Sequence, residues 1–164
     1  MVADQATKCW ALAALEPGEY HPIIGDLLGL RLVFNPGAAL SMLAGRTWIV
    51  TTLMLLLTIG VTIGFFRTNS RAWRIIFASL IGGGVGNLID RFFAEPGFFQ
   101  GHVVDMIDYA GFFVGNVADI AIVLAAVFAI VLVARGSSPG IGESAPTAEI
   151  SAETDPLADV DQDD

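Results

Sequence analysis

Acidic side chains lie inside or beside the apolar stretches of this chain, where polar groups are costly. Asp119 is the only charged residue in the run 110–134, and Asn116 precedes it by three residues. Asp105 and Asp108 come just before the same run. A carboxylate in lipid costs at least a few kcal/mol on insertion scales, so each such acid is a functional-site hypothesis. We expect Asp119 about one helical turn below the outer membrane boundary, with Asn116 on its helix face.

Two carboxyl groups held close together in a low-dielectric site can hydrolyse a peptide bond. Both cannot ionise easily, so one pKa rises and the pair shares a proton. The ionised carboxylate takes a proton from water while the protonated carboxyl donates to the carbonyl oxygen. Asp119 is the clearest candidate for one member, whereas spacing alone leaves Asp105, Asp90 and Asp108 open as the second. The alternative is that these acids only cap or pack helices.

A metal site is a weaker interpretation of the same acids. His102, Asp105 and Asp108 follow one another at three-residue steps and could ligate a metal. One histidine with carboxylates is a weak signal, so we expect no metal and no cofactor. The glycine-rich run 82–86 does not match a phosphate loop, because no Lys-Ser/Thr pair follows it.

Four apolar segments are available to position these side chains in a membrane. The run 47–66 has no charge and is long enough to cross a hydrocarbon core of about 30 Å. The runs 75–88 and 110–134 follow it, and 9–15 is too short to span unless residues 1–8 extend the same helix. We therefore predict an all-α integral membrane protein with four transmembrane helices, the first short or truncated.

Polar and small residues also mark these helices. Asn87 and Asp90 end the third run and share a helix face, at the predicted depth of Asp119. Polar groups from different segments thus converge at one level. Gly60 and Gly64 in the second run, and the glycines of the third, are expected to allow close helix packing.

Loop charge predicts the orientation. The connection after the second run carries Arg67, Arg71 and Arg74 and no acid, so we expect it in the cytoplasm. The connections 16–46 and 90–109 then face outward. Both chain termini are cytoplasmic on this interpretation, and the polar site is near the outer face of the cell membrane.

The first outward connection contains a strand signal. Residues 28–34 alternate partially and include β-branched and aromatic residues, and turn residues follow at Asn35-Pro36-Gly37. We predict a small extracytoplasmic β-sheet that lies on the membrane surface as a cradle.

The composition limits the function classes. The chain has 164 residues, 54% hydrophobic and 15% charged, with a mean hydropathy of +0.67. Eight of its acids and none of its bases lie in 136–164. We predict a transmembrane domain over 1–135 and an acidic, disordered cytoplasmic tail over 136–164. The absence of a basic face excludes a nucleic-acid binder, and the single Cys9 excludes a disulfide scaffold.

Five sequence blocks, in order over residues 4–123, resemble the lipoprotein signal peptidase (signal peptidase II) family. Singly each block is weak, and together they are specific. The blocks are Asp4-Gln5-x-x-Lys8, Asn35-x-Gly37-Ala38-Ala39-x-Ser41-x-Leu43, Gly82-Gly83-x-x-Gly86-Asn87-x-x-Asp90-Arg91, Val103-Val104-Asp105-x-Ile107-Asp108 and Asn116-x-Ala118-Asp119.

The resemblance implies an aspartyl endopeptidase of the bacterial inner membrane. Its substrate would be a prolipoprotein, cut just before a cysteine that carries diacylglycerol. Its other partner would be membrane lipid. The resemblance implies that Asp105 and Asp119 are the catalytic pair and that no cofactor is needed. We expect a monomer. Arg91 is a candidate donor to a substrate carbonyl or a carboxylate. The remaining positions implied to support the site or bind substrate are Asp4, Asn35, Asn87, Asp90 and Asn116.

Some positions depart from the family pattern. Only three residues precede Asp4, where the family has an apolar run. Gly115 and Leu40 replace residues that are usually Phe, and only thirteen residues separate Asp105 from Asp119. The stretch 92–100 is unusually rich in Phe, and we expect these rings to contact the membrane.

Two other function classes fit the apolar body. A small proton-coupled transporter or channel would use the intramembrane carboxylates to relay ions. A non-enzymatic assembly subunit would use its glycine faces to pack partner helices. The first predicts ion flux across liposomes, and the second predicts tolerance of Asp119→Asn.

Overall fold

The computed structural model describes residues 1–37 and 45–141. The tail from 142 onward and the motif positions 38–44 lie outside the described residues. Over the described part, four α-helices combine with one four-stranded antiparallel sheet. The elements are α1 (Val2–Ala14), β1 (His21–Ile24), β2 (Leu28–Asn35), α2 (Thr47–Arg67), α3 (Arg71–Phe93), β3 (Val103–Tyr109), β4 (Phe113–Gly115) and α4 (Val117–Ala134).

Three of these helices are long and apolar enough to cross a membrane. They are α2, α3 and α4, with 21, 23 and 18 residues. Helix α1 has 13 residues, which at about 1.5 Å each is less than a hydrocarbon core of about 30 Å. The described residues thus give three candidate spans, one fewer than the four predicted.

Helix α1 lies parallel to the second half of α3. The backbone nitrogen of Met1 is 3.8 Å from the place of a Cβ on Gly82, halfway along α3. Two turns later, Lys8 Nζ is 2.7 Å from Asp90 Oδ2, near the end of α3. A Cβ on Gly86 would lie 2.7 Å from Asp4 Oδ2, so the two backbones are close. This contact places the polar residues of α1 at the sheet end of the helices.

The prediction of a single helix over 110–134 is wrong at its start. Ala110 and Gly111 have φ of 53° and 72° and form the turn that joins β3 to β4. Helix α4 begins only at Val117, with Asn116 as its N-cap. Asp119 is therefore the third residue of the helix, and Asn116 lies outside the helix rather than on its face.

The sheet runs in the order β1-β2-β3-β4. The strand predicted over 28–34 is confirmed as β2. The sequence does not predict β3 or β4: β3 lies in the outward connection before the last predicted span, and β4 lies in the first part of that span. Val33 lies opposite Asp105 in the register. Side chains alternate between the two faces of a strand. Leu32, Val104 and Met106 therefore form the other face and pack against Ala11 of α1.

Glycines of α3 allow its neighbours to approach. A Cβ on Gly83 would lie 2.8 Å from the carbonyl oxygen of Ala118, and one on Gly84 would lie 2.6 Å from Thr58 Oγ1. The packing interpretation of this glycine run is confirmed. It also holds for Gly64, where a Cβ would lie 3.2 Å from Phe77 Cζ of α3. It is wrong for Gly60, because the described residues place no atom within 4 Å of a Cβ there, apart from the helix's own backbone and the adjacent residues.

These two environments predict opposite results for the same substitution. We expect Gly83→Ala to lower the free energy of unfolding by about 1–3 kcal/mol, since the backbones of α3 and α4 must separate. The matched variant Gly60→Ala should be neutral or stabilising by up to about 1 kcal/mol, because alanine favours a helix over glycine. Unfolding midpoints in detergent compare the two, and an equal effect would contradict the packing interpretation.

The ends of the helices away from the sheet meet the chain that leaves α4. Trp73 Nε1 donates to Ser137 Oγ at 3.2 Å, and Thr68 Oγ1 donates to the carbonyl of Pro139. Arg74 Nη2 donates to the carbonyl of Thr68 at 3.0 Å. The connection that carries the three arginines and the residues that follow α4 therefore lie at the same end of the helices.

Candidate active site

The Asp105 carboxyl belongs to β3 and lines a cavity on the sheet. Its side chain is buried, with 2% of its surface exposed. Oδ1 accepts a hydrogen bond from Asn116 Nδ2 at 2.6 Å, and Oδ2 accepts one from Asn35 Nδ2 at 3.0 Å. Both amides approach from neighbouring elements, the end of β2 and the cap of α4. Each oxygen of this carboxyl is therefore oriented by one N–H donor.

The Asp119 carboxyl is held in the same manner. Oδ1 accepts from Asn87 Nδ2 at 2.9 Å, and Oδ2 accepts from the backbone N–H of Asn116 at 3.1 Å. In return, Asn116 Oδ1 accepts from the backbone N–H of Asp119 at 3.0 Å, which completes a capping box. Asn116 contacts both acids, through its side chain and its backbone. It joins the two carboxyl groups into one hydrogen-bonded unit.

The Asn87 amide has only one orientation that fits its neighbours. Its Oδ1 accepts from Lys8 Nζ at 2.9 Å and from Asn116 Nδ2 at 3.1 Å. Because two donors face that oxygen, Nδ2 must point the other way, toward Asp119. Lys8 therefore influences Asp119 through Asn87, although it does not contact the carboxyl.

A buried ion cluster lies behind this amide. Lys8 Nζ is 3.1 Å from Asp4 Oδ2 and 2.7 Å from Asp90 Oδ2, and all three side chains are buried. Asp4 Oδ1 also accepts from the backbone N–H of Ala118, in the first turn of α4. Asp90 Oδ2 accepts from the backbone N–H of Val104 in β3. The cluster thus connects α1, α3, β3 and α4 directly beneath the two carboxyls.

Arg91 fixes the main chain rather than a carboxylate. Its Nη1 donates to the carbonyls of Asn35 at 3.1 Å and Gly101 at 3.0 Å, and its Nη2 donates to the carbonyl of Gly37. Only 1% of its surface is exposed. Among the described residues, this guanidinium therefore binds backbone carbonyls rather than the carboxylate that was one of its two expected partners. It holds the end of β2, which carries the Asn35 amide to Asp105.

The metal interpretation fails on strand geometry. Asp105 and Asp108 are three apart on a strand, so their side chains lie on opposite faces. Asp108 pairs with Arg31 on the face away from Asp105, at 3.1 Å from Nε. Among the described residues, no group of three or more His, Cys, Asp or Glu side chains could hold a metal ion. The same alternation places Asp105, and not Asp108, on the face that Asn116 contacts.

The surroundings change the protonation of Asp105. Burial raises the pKa of its carboxyl from the usual 3.8 to about 7. The nearby charge of Asp119 raises this pKa as well, while hydrogen bonds from Asn35 and Asn116 lower it. At neutral pH both forms of the carboxyl are populated. A carboxyl that exchanges its proton near pH 7 beside a second carboxyl is suited to acid–base work.

The cavity above Asp105 has a volume of about 290 Å³. Phe113 lines this cavity, and its ring stacks on that of Tyr109 with centroids 4.6 Å apart. Burial and the charge of Asp119 raise the pKa of Tyr109, which places this ring near the acids. Residues that line the cavity are Val33, Asn35, Asp105, Gly111, Phe112, Phe113 and Val114.

All eight site residues expected from the sequence converge at this end of the molecule. The roles of Lys8 and of the β3–β4 hairpin were missed. For Lys8 a signal existed, since it is four residues after Asp4 and therefore on the same helix face. Nothing in the pattern of 109–115 separated a hairpin wall from the start of a membrane helix.

Three candidate membrane spans with a sheet and two hydrogen-bonded carboxyls at one end characterise a membrane protein with a candidate active site. The fold agrees with that of a solved bacterial membrane enzyme, with a TM-score of 0.67 over 88% of each chain at 24% identity. A second solved bacterial membrane enzyme matches with a TM-score of 0.64.

The sequence model of signal peptidase (SPase) II matches residues 1–135, and the chain belongs to this family. It is therefore a membrane peptidase. A lipoprotein signal peptidase of Bifidobacterium longum (strain DJO10A) is 38% identical over 97% of this chain and 87% of the relative. One from Rhodococcus jostii (strain RHA1) is 44% identical over 85% of this chain and 70% of the relative.

Proposed function

We propose that the chain is an aspartyl endopeptidase that removes signal peptides from diacylglyceryl-modified prolipoproteins. It cleaves just before the lipid-modified cysteine, at the outer face of the bacterial inner membrane. The observation that carries the proposal is that one residue, Asn116, binds both Asp105 and Asp119. The family and its lipoprotein signal peptidase relatives support the substrate class.

The reaction is hydrolysis by an activated water. The ionised carboxylate of the pair removes a proton from water, and the water oxygen attacks the carbonyl carbon of the scissile peptide. The protonated carboxyl gives its proton to the carbonyl oxygen, which forms a neutral tetrahedral intermediate. The C–N bond then breaks as the nitrogen takes a proton from the protonated carboxyl. A hydroxyl of the intermediate gives its proton to the other carboxylate as its C=O bond forms, which yields the amine and a carboxylic acid. One proton shared by the pair is restored at the end.

The amide donors support this chemistry by orienting the acids. Each of the four carboxyl oxygens of Asp105 and Asp119 accepts one N–H. An oxygen has a second lone pair, which stays available for water or substrate. Because amide N–H groups carry no formal charge, they hold the carboxyls without ion-pairing either of them, so the pair can share its proton.

The membrane supplies substrate specificity in this proposal. A substrate anchored by acyl chains is confined to the plane of the carboxyl pair, which raises its local concentration. We place α1 in the membrane as a fourth, short helix whose N-terminal end is directed toward the cytoplasmic side, and the chain that follows α4 in the cytoplasm. The residues of the proposed site all come from one chain, so a monomer is sufficient for the proposed reaction.

A matched pair of substrates tests the proposal. The purified full chain in liposomes is given a diacylglyceryl-modified prolipoprotein and its unlipidated twin, each with and without a chelator. We expect shortening of the lipidated form only, at least ~100-fold faster than its twin and unchanged by the chelator. Equal cleavage of both forms would contradict the substrate class. No cleavage, with proton flux across the same liposomes, would favour a transporter.

A further inference from the structure

The buried Asp108 carboxylate lies on the face of β3 opposite Asp105 and has no part in the proposed reaction. None of its surface is exposed. Its Oδ1 accepts from the backbone N–H of Gly111 at 2.7 Å, and its Oδ2 is 3.1 Å from Arg31 Nε. A buried charge is costly unless it is paired and hydrogen-bonded. These two contacts connect Asp108 to the turn between β3 and β4 and to β2.

The first contact fixes the turn between β3 and β4. Ala110 has a φ of 53°, which side chains other than glycine seldom adopt, and Gly111 follows at 72°. Phe112 N–H donates to the carbonyl of Tyr109 at 3.0 Å and closes the turn. Since Asp108 binds the middle of this turn, it selects the conformation of the residues that follow.

The second contact ties the turn to β2. Arg31 is about one-third exposed, and its guanidinium lies over the ring of Tyr20, 5.2 Å from the centroid. Within the part of the chain that the structure describes, Asp108 is the only carboxylate within 4 Å of Arg31. Arg31 therefore places a positive charge beside the buried Asp108 carboxyl. The outer strand pair and the hairpin are joined through one carboxylate.

The hairpin forms one wall of the cavity above Asp105. Four of the seven lining residues belong to it, namely Gly111, Phe112, Phe113 and Val114. Phe112 is 82% exposed, and Phe113 stacks on Tyr109. A cavity lined by the Asp105 carboxyl and by aromatic rings offers a polar site for a peptide bond and an apolar surface beside it.

We propose that Asp108 is a positioning residue, which acts through the β3–β4 hairpin to hold Phe112 and Phe113 against the apolar part of the bound substrate. The inference rests on the proposed function, because it concerns the substrate of that site. It assigns the hairpin to substrate binding and leaves the proton transfer to Asp105 and Asp119. Loss of Asp108 therefore affects the apparent KM and spares kcat.

Three variants and one control test this role in the full chain. We expect Asp108→Ala to raise the apparent KM for the lipidated prolipoprotein about tenfold, with kcat within about threefold of the unchanged chain. Asp108→Asn keeps an oxygen for the Gly111 N–H and frees Arg31 to meet water, so it should restore KM to within about threefold. Phe112→Ser removes an exposed ring, so it tests the wall without risk to folding, and it should also raise KM. Asp26→Ala, at an exposed acid, is the matched control and should change neither constant.

Amide exchange gives a readout independent of cleavage. The Gly111 amide should be protected in the unchanged chain and in Asp108→Asn, and at least ~10-fold less protected in Asp108→Ala. An unchanged KM in Asp108→Ala and Phe112→Ser, with an active parent chain, would overturn the inference alone. A parent chain that cleaves nothing would overturn the proposed function, while the exchange result would still decide whether Asp108 holds the turn. A fall in kcat at constant KM would show that Asp108 acts on the carboxyl pair instead.

Discussion

Asp119→Asn and Asp105→Asn are each expected to slow cleavage of the lipidated prolipoprotein by at least ~10³-fold, within the range for a positioned proton-transfer group. An amide neither takes a proton from water nor shares one with the other acid. Asn has nearly the shape of Asp, so insertion and folding should survive. Single-turnover rates in liposomes, with size-exclusion profiles of each variant, provide the measurement.

The control for these variants is the same chemical change at an exposed acid. Asp26→Asn alters a residue in the turn between β1 and β2 and should leave the rate within about twofold, as for most surface substitutions. Cleavage by either site variant within about tenfold of the unchanged chain would refute the carboxyl pair. Loss of activity in Asp26→Asn as well would indicate that the assay reports folding rather than chemistry.

The pair also predicts how the rate depends on pH. The pKa of Asp105 is about 7, so its carboxyl keeps the proton below that pH and loses it above. Because the mechanism needs one protonated carboxyl, kcat should fall about tenfold per pH unit well above 7. The free energy of unfolding changes with pH in the same direction as kcat, because between pH 3.8 and about 7 the native Asp105 carboxyl binds more protons than the unfolded one. The free energy of unfolding should therefore decline as the pH rises through this window.

How far the sequence reaches is clearest at α4. A hydropathy window cannot separate a membrane helix from an apolar strand that precedes it, so 110–116 was assigned to the helix. The boundary is set by a local contact, the capping box between Asn116 and Asp119. The three-residue spacing of Asn116 and Asp119 is visible in the sequence, but it fits two structures. It fits two residues on one face of a helix, and it fits an N-cap followed by the third residue of the helix.

The choice of the second acid shows the same limit. Three-residue spacing suits one face of a helix and opposite faces of a strand. The spacing alone therefore leaves Asp105 and Asp108 equivalent, whereas in the extended β3 they lie on opposite faces. Asp90 differs for another reason, because it lies on α3 and pairs with Lys8. The convergence of these polar residues at one end of the helices was predictable, because polar residues stand out in apolar runs. The order of contacts through Lys8, Asn87 and Asn116 was not, since it depends on how α1 packs on α3.

Lys8→Met is expected to give the largest loss of stability, about 3–5 kcal/mol in the free energy of unfolding. Methionine fills a similar volume, but it leaves Asp4 and Asp90 buried without a cation. The variant also removes one of the two donors that orient Asn87, so Asp119 loses its fixed partner and cleavage should fall as well. Unfolding in detergent and single-turnover rates in liposomes separate the two effects.

A second substitution distinguishes charge from packing. If unpaired carboxylates cause the loss, Lys8→Met combined with Asp90→Asn should recover part of the stability, because one buried charge is gone. If the loss came from packing, the double variant would be no better than the single one. His21→Gln removes the partner of Glu19 in an exposed pair 3.9 Å apart and should change stability by less than about 0.5 kcal/mol. A similarly small effect for Lys8→Met would mean that water reaches the cluster, which the 1–7% exposure of its three side chains argues against.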